Sequence, residues 1–193
     1  MAGFKTVSVR TDEHGGMDID DVRAKVADHS IVGLMLTNPS TLGLFDQQIA
    51  GIAEIVHGAG GLLYYDGANF NAIMGRVRPG DMGFDIVHFN THKTFSTPHG
   101  GGGPGAGPVA VRDTLAQYLP VPRVVQSADG SFDLSFDGER SIGQIKQFWG
   151  NVGVLLRAWA YIRTHGRDGL RRVSDLAVLN ANYLLAKLSS AFE

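Results

Sequence analysis

The sequence predicts an α/β protein: a mostly parallel sheet flanked by helices. Three observations carry this reading. Short apolar runs recur at residues 31–36, 62–65 and 86–89. Between the first two lies a helical stripe, Ile49, Ile52, Ala53 and Val56, at the three-to-four-residue spacing of one helix face. Polar residues Asn38, Asp66 and Lys93 then follow successive runs at spacings of 28 and 27 residues, each about one strand–helix–strand unit.

Taken in order, residues 4–9 alternate apolar and polar side chains, the pattern of a half-buried strand. Asp18 or Asp20 can cap a short helix with Ile19, Val22 and Val26 on one face. The run 31–36 is continuous and apolar, which predicts a strand covered on both faces. Asp46 opens the second helix, and Gly60-Gly61 stops it. Residues 62–65 and 86–89 read as further buried strands, and 109–111 as another short one. Residues 120–140, rich in Pro, Asp and Gly and carrying Phe132 and Phe136, predict an ordered excursion and no helix. From Ser141 the period becomes helical: Trp149, Val152, Leu156, Trp159 and Ile162 share a face, and Gly166 is a break. A last helix carries Leu170, Val173, Leu176, Leu179, Tyr183 and Leu188. The division expected is 1–140 as part of a large sheet domain and 141–193 as a helical segment. The chain begins in a strand pattern and ends on an amphipathic helix, so the expectation is a piece incomplete at both ends.

Composition narrows the function classes. At 193 residues the chain is long enough to bury a core. Its 17 basic and 19 acidic residues give −2, so there is no electrostatic case for nucleic acid or an anionic membrane. The absence of cysteine excludes disulfides, thiolate metal sites and a cysteine nucleophile. No apolar run approaches the ~20 residues of a membrane span, and no signal-peptide pattern opens the chain. A soluble protein of a reducing compartment is the default expectation. Glycine is the anomaly: 26 residues, about twice its usual share of roughly 7%.

Those glycines concentrate after Lys93, in HFNTHKTFSTPHGGGGPGAG (88–107). Lys93 is one of five lysines, placed between an apolar run and a loop nearly without side chains. In open α/β sheets ligands bind beyond the carboxyl ends of the strands, which is where Asn38, Asp66 and Lys93 fall. Pyridoxal phosphate chemistry uses these residue types. A lysine amine forms a Schiff base with the aldehyde, a carboxylate keeps the pyridine nitrogen protonated, and an amide orients the ring oxygen. Each residue also has a plain reading. Asn38-Pro39 and Asp66-Gly67 are turn dipeptides, a lone lysine is surface, and His92 and His99 can be structural. The GxxxxGK[ST] and GxGxxG patterns are missing, as is HExxH, and no metal site is expected.

The segments LTNPSTLGLF (36–45), GGLLYYDGANFNAIMGRVRPGDMGFDIVHFNTHKTFSTPHGGGGPGAGPV (60–109) and LPVP (119–122) closely resemble the glycine cleavage system P-protein family, the decarboxylating glycine dehydrogenases. The match is to their pyridoxal phosphate-binding C-terminal half, or subunit 2, and it extends to GLRRVSDLAVLNANYLLAKL near the end. The resemblance implies a fold-type-I large domain of aspartate aminotransferase architecture. It implies Lys93 as the Schiff-base lysine, Asp66 at the pyridine nitrogen, Ala68 at the ring face and Asn38 near the ring oxygen. His92 would touch the cofactor phosphate, with Asn90 also among the cofactor-binding residues. His99, Gly100 and Thr94 would belong to the substrate pocket, His99 and Gly100 to Gly103 shaping its mouth near a partner subunit. The implied reaction is decarboxylation of glycine with transfer of the aminomethyl group to the lipoyl arm of the H-protein. Partners would be the lipoylated H-protein and another P-protein subunit or half, in a homo- or hetero-oligomer. The implied location is the cytoplasm for a bacterial protein and the mitochondrion for a eukaryotic one. In this family the phosphate cup precedes this segment and a small domain follows it. Weak cofactor binding and little or no activity are therefore expected of the chain alone. The alternatives are another fold-type-I enzyme, aminotransferase or lyase, and a non-catalytic scaffold fragment.

Overall fold

A computed structural model describes residues 3–28, 30–98, 103, 105–145, 148 and 150–192. The elements run α1 (Ile19–Asp28), β1 (Gly33–Leu36), α2 (Ile49–Gly58), β2 (Leu62–Gly67), β3 (Ile86–Phe89), the single turn α3 (Thr91–Thr94), β4 (Val109–Val111), β5 (Arg123–Gln126), β6 (Phe132–Ser135) and α4 (Val152–Leu188). The main sheet has the order β1-β2-β3-β4, with the first three strands parallel and β4 antiparallel to β3. The excursion over 120–140 takes the form of a separate hairpin, β5-β6.

Local chemistry explains the helix boundaries. Asp18 Oδ1 accepts from the backbone N–H groups of Asp20 (3.1 Å) and Asp21 (3.0 Å), capping α1. Asp46 stands three residues ahead of α2. It shapes the entry by accepting from Gln48 N (2.9 Å) through Oδ1 and from Met17 N (2.9 Å) through Oδ2. The chain leaves α2 through Gly60, whose φ of +79° lets its N–H reach the His57 carbonyl at 2.9 Å. The predicted stripe Ile49, Ile52, Ala53 and Val56 is buried, packed on Leu63 and Tyr65 of β2 together with Ile73, Met82 and Phe84. Burying each large apolar side chain contributes ~1.5–3 kcal/mol, so this face of the sheet is the core. Tyr65 meets Phe84 edge to face at 4.9 Å.

At the amino-terminal rim, Asp85 joins three elements. Its buried carboxylate accepts from Leu63 N (2.8 Å) and pairs with His57 Nε2 (2.8 Å) and Arg112 Nε (3.3 Å). Arg76 pairs with Asp175, and the Ser174 hydroxyl donates to the Asn71 carbonyl. These contacts dock α4 on the loop after β2.

Three expectations are corrected. Residues 4–9 form no strand: Phe4 and Val7 are exposed, and the nearby pairing is the single bridge Thr11–Met17 around a turn held by Asp12. Alternation supplies strand propensity, but a strand also needs a ladder partner. The run 31–36 is not covered on both faces. β1 is an edge strand whose Leu34 and Leu36 pack against the core while Met35, on the opposite face, is exposed. The helix expected from Ser141 starts instead at Val152, where Asn151 Oδ1 accepts from Val154 N at 3.1 Å. Its buried residues are Val154, Ala158 and Ser174, whereas Val152, Leu156 and Trp159 face outward. Gly166 breaks α4 as expected, at φ +61° and ψ −173°. Trp149 lies outside the described residues.

Candidate active site

β2 and β3 pair in parallel with Asp66 opposite His88 and Gly67 opposite Phe89. A Cβ at Gly67 would overlap the His88 carbonyl oxygen, so glycine is required here for the two strands to close beside Asp66. Asp66 Oδ1 accepts from Ala68 N at 2.9 Å and lies 3.3 Å from His88 Nε2. Oδ2 has no hydrogen-bond partner among the described residues.

Lys93 is exposed on α3, just beyond β3. That turn is held by Lys93 N (3.0 Å) and Thr94 N (3.1 Å), both donating to the Asn90 carbonyl. It is anchored from below by Thr91, whose N–H and Oγ1 both donate to Ala106 O at 3.2 and 3.0 Å. The Thr97 hydroxyl donates to Thr91 O at 2.8 Å. The end of the glycine-rich loop thus folds back onto α3. A Cβ at Gly105 would sit 3.0 Å from His92 Nδ1, and Ala106 N donates to that nitrogen at 3.4 Å. Close backbone approach to His92 gives this glycine its physical role.

Asp66, Ala68 and Lys93 line one cleft of about 300 Å3 at the carboxyl end of the parallel strands. Thr37, Thr41, Asn69 and Asn71 supply its polar wall. Lys93 makes no ion pair among the described residues, and no arginine among them lines the cleft. Burial, with the Asp66 charge as a second cause, raises the pKa of Tyr64 beside the site, and of Tyr65 behind it.

The remaining candidates are placed differently. Asn38 is fully buried, and its side chain is committed to the loop it begins. Oδ1 accepts from Asp46 N at 2.8 Å, and Nδ2 donates to Asp46 O at 3.2 Å. Its carbonyl accepts from Tyr65 Oη at 2.7 Å. As placed, Asn38 shapes the loop, and its neighbours Thr37 and Thr41 face the cleft. His92 packs under Gly105 and Ala106 and is not among the residues that line the cleft. Thr94 is buried, and its Oγ1 has no hydrogen-bond partner among the described residues. Asn90 Nδ2 stands 3.2 Å from His88 Nε2. His99 and Gly100 lie outside the described residues. Sequence reasoning missed Tyr64 and His88 as neighbours of Asp66: Tyr64 lies two residues before Asp66 on the same face of β2, and His88 interrupts the apolar run of β3 at the position that pairs with Asp66. Among the described residues no three His, Cys, Asp or Glu side chains gather as a metal site, and no helix is long and apolar enough to cross a membrane.

No family model matches the chain. Over all 193 residues it is 59% identical to a probable glycine dehydrogenase (decarboxylating) subunit 2 of Staphylococcus aureus strain RF122, and it spans 39% of that relative's length. Among solved structures it resembles a glycine decarboxylase (P-protein) of the glycine cleavage system in inhibitor-bound form. That match has 23% identity and TM-score 0.57, over 72% of this chain and 33% of the other. Mouse CSAD in its apo form gives 22% identity and TM-score 0.66 over 94% and 38%. An alanine–glyoxylate aminotransferase from Nostoc gives 18% and 0.55 over 90% and 44%. The chain is therefore similar along its whole length to a segment of glycine dehydrogenase (decarboxylating) subunit 2, and its α/β fold, with a mostly parallel sheet, is shared with part of each of these solved structures, the fold-type-I architecture.

Proposed function

We propose that this chain forms the lysine-bearing part of a pyridoxal phosphate site that decarboxylates glycine and passes the aminomethyl group to the lipoyl arm of an H-protein. The observation that carries this is the meeting of Lys93 and Asp66 in one cleft at the ends of neighbouring parallel strands. The 59% identical relative, a probable decarboxylating glycine dehydrogenase, supports the decarboxylation of glycine.

The donor set fits the cofactor. Lys93 offers an accessible amine, and Asp66 offers a carboxylate oxygen left open by its contacts with Ala68 and His88. Bound pyridoxal phosphate supplies an electron sink for the pair released when glycine loses its carboxylate as carbon dioxide. Lys93 Nζ would hold the cofactor through its amine and would accept or return a proton at that nitrogen. Asp66 would keep a cationic ring nitrogen charged, since a carboxylate at hydrogen-bond distance favours the protonated form. Ala68, with a single methyl, leaves room for a flat ring. Thr37, Thr41, Asn69 and Asn71 would orient polar substituents and exclude loosely held water. Among the described lining residues the one cation is Lys93, so a phosphate dianion would rest mainly on hydroxyls and amides. Binding to this chain alone is accordingly expected at ~0.01–1 mM, worth ~4–7 kcal/mol.

The test is glycine-dependent carbon dioxide exchange in the presence of lipoylated H-protein. It compares this chain alone, the chain with a partner P-protein subunit, and the longer homologous subunit with and without the lysine equivalent to Lys93. Lysine-dependent exchange in the longer subunit, with little from this chain alone, is the expected result. Exchange that survives loss of the lysine would refute the assignment.

A further inference from the structure

We propose that His88 is a positioning residue for Asp66: its Nε2–H holds Oδ1 of the carboxylate, and the Tyr64 phenol behind it fixes which ring nitrogen carries the proton. The inference rests on the assignment of Asp66 to a cationic ring nitrogen, and it concerns how that carboxylate is held.

The sheet places the three side chains on one face. Tyr64 and Asp66 are two residues apart on β2, and His88 is the register partner of Asp66 on β3. This face lies opposite the buried one formed by Leu63 and Tyr65, so Asp66 and His88 stay partly exposed, at 29% and 21% of their side-chain surface. Tyr64 Oη lies 2.9 Å from His88 Nδ1, with ring centroids 5.6 Å apart. His88 Nε2 meets Asp66 Oδ1 as a 3.3 Å ion-pair contact, and Asn90 Nδ2 as placed stands 3.2 Å from the same nitrogen.

With the Asn90 amide turned so that its oxygen faces the ring, donor and acceptor counting selects one arrangement. The Tyr64 phenol, its pKa raised by burial and by Asp66, stays protonated near neutral pH and is the natural donor to Nδ1. The neutral imidazole then carries its proton on Nε2, facing the carboxylate. The opposite tautomer would set the lone pair of Nε2 against Asp66 Oδ1, which is repulsive. If the imidazole is doubly protonated, Nε2–H still faces Asp66. Asn90 is compatible when its amide oxygen is the atom turned toward Nε2–H. Oδ1 is thus held from two sides, by His88 and by Ala68 N, and Oδ2 remains for a ligand. The pairing resembles the outer hydrogen bonds that orient primary ligands in other sites, whose loss commonly weakens binding ten- to a hundredfold.

The test has two arms. In the first, the imidazole of His88 in the uniformly 15N-labelled chain without cofactor is examined by NMR, its resonances assigned with His88→Gln. The expected result is an Nε2-protonated ring in the parent and loss of that preference in Tyr64→Phe. An Nδ1-protonated ring in the parent, or an unchanged tautomer in Tyr64→Phe, would overturn the proposal. In the second arm, pyridoxal phosphate binding is measured for the parent, His88→Leu, His88→Gln and Lys93→Ala. Glutamine can place an amide N–H near the position of Nε2–H. We expect His88→Leu to weaken binding about tenfold, the size of one hydrogen bond to a charged group, and His88→Gln to stay within about twofold of the parent. Equal binding by the leucine and glutamine variants, with Lys93-dependent binding intact in the parent, would overturn the role of His88 and leave the cofactor assignment standing. If the parent shows no Lys93-dependent binding, the cofactor assignment fails, and the tautomer arm still decides how His88 and Tyr64 hold Asp66.

Discussion

Substituting Gly67 by alanine tests the geometry on which the site depends. The added Cβ would overlap the His88 carbonyl oxygen, which is backbone and cannot rotate away. Relief requires β2 and β3 to part by more than about 1 Å at the Asp66–His88 and Gly67–Phe89 pairs. Overpacking of this kind costs ~1–3 kcal/mol, and weakening one or two ladder hydrogen bonds adds ~1 kcal/mol each. The expected loss is ~3 kcal/mol, or ~6–12 °C in Tm for a chain of this size. Gly58→Ala is the matched control. It lies at the end of α2 with no heavy atom within 4 Å of the new methyl, and it should stabilise by up to ~1 kcal/mol through helix propensity. Thermal and urea unfolding of both variants, followed by circular dichroism, gives the comparison. A Gly67→Ala chain as stable as the parent would refute the close strand contact and, with it, the placement of Asp66.

Other predictions concern the scaffold. Asp85→Ala strands the Leu63 N–H and unpairs His57 and Arg112, so it should cost ~3 kcal/mol. That would lower the urea midpoint by ~1–2 M. Asp21 has a pKa below its ordinary 3.8, chiefly through its hydrogen bond from Lys25 and secondarily from Arg10 N. A depressed folded pKa means its contribution is complete above about pH 4 and is lost as pH falls through the lower folded value. Asp21→Asn should therefore flatten the acid limb of the stability curve and leave its shape unchanged above pH 5. Thr94→Val removes a buried hydroxyl that has no partner among the described residues, so stability should hold or rise by ~1 kcal/mol; a clear loss would mean the hydroxyl is satisfied in solution.

The legible parts of the sequence were those in which local pattern and global packing agree. The α2 stripe was read correctly because period and burial coincide there; β2 and β3 were read correctly as strands, since apolar runs in the middle of a sheet have neighbours on both edges, but β2 is buried only at alternate positions and β3 only partly. Asp66 and Lys93 could be placed because strand ends in a parallel sheet converge on one rim. Residues 4–9, and the cover expected on both faces of 31–36, were misread for one physical reason. Periodicity shows that a face is apolar, and only the tertiary structure shows what lies against it. Asn38 was legible as a strand-end polar residue but not as the clamp of loop 38–46, since its partner Asp46 is eight residues away across a turn. His88 was hidden inside an apolar run. Its meaning depends on the β2–β3 register, which no local pattern carries.

The most direct test of the central claim is a visible-absorption titration of the purified chain with pyridoxal phosphate, run beside Lys93→Ala, with borohydride reduction and peptide mass mapping of each endpoint. The account predicts a weakly saturating band in the parent, absent from Lys93→Ala, and a reduced adduct mapped to Lys93. A band of equal strength in both chains, or an adduct on another lysine, would contradict it.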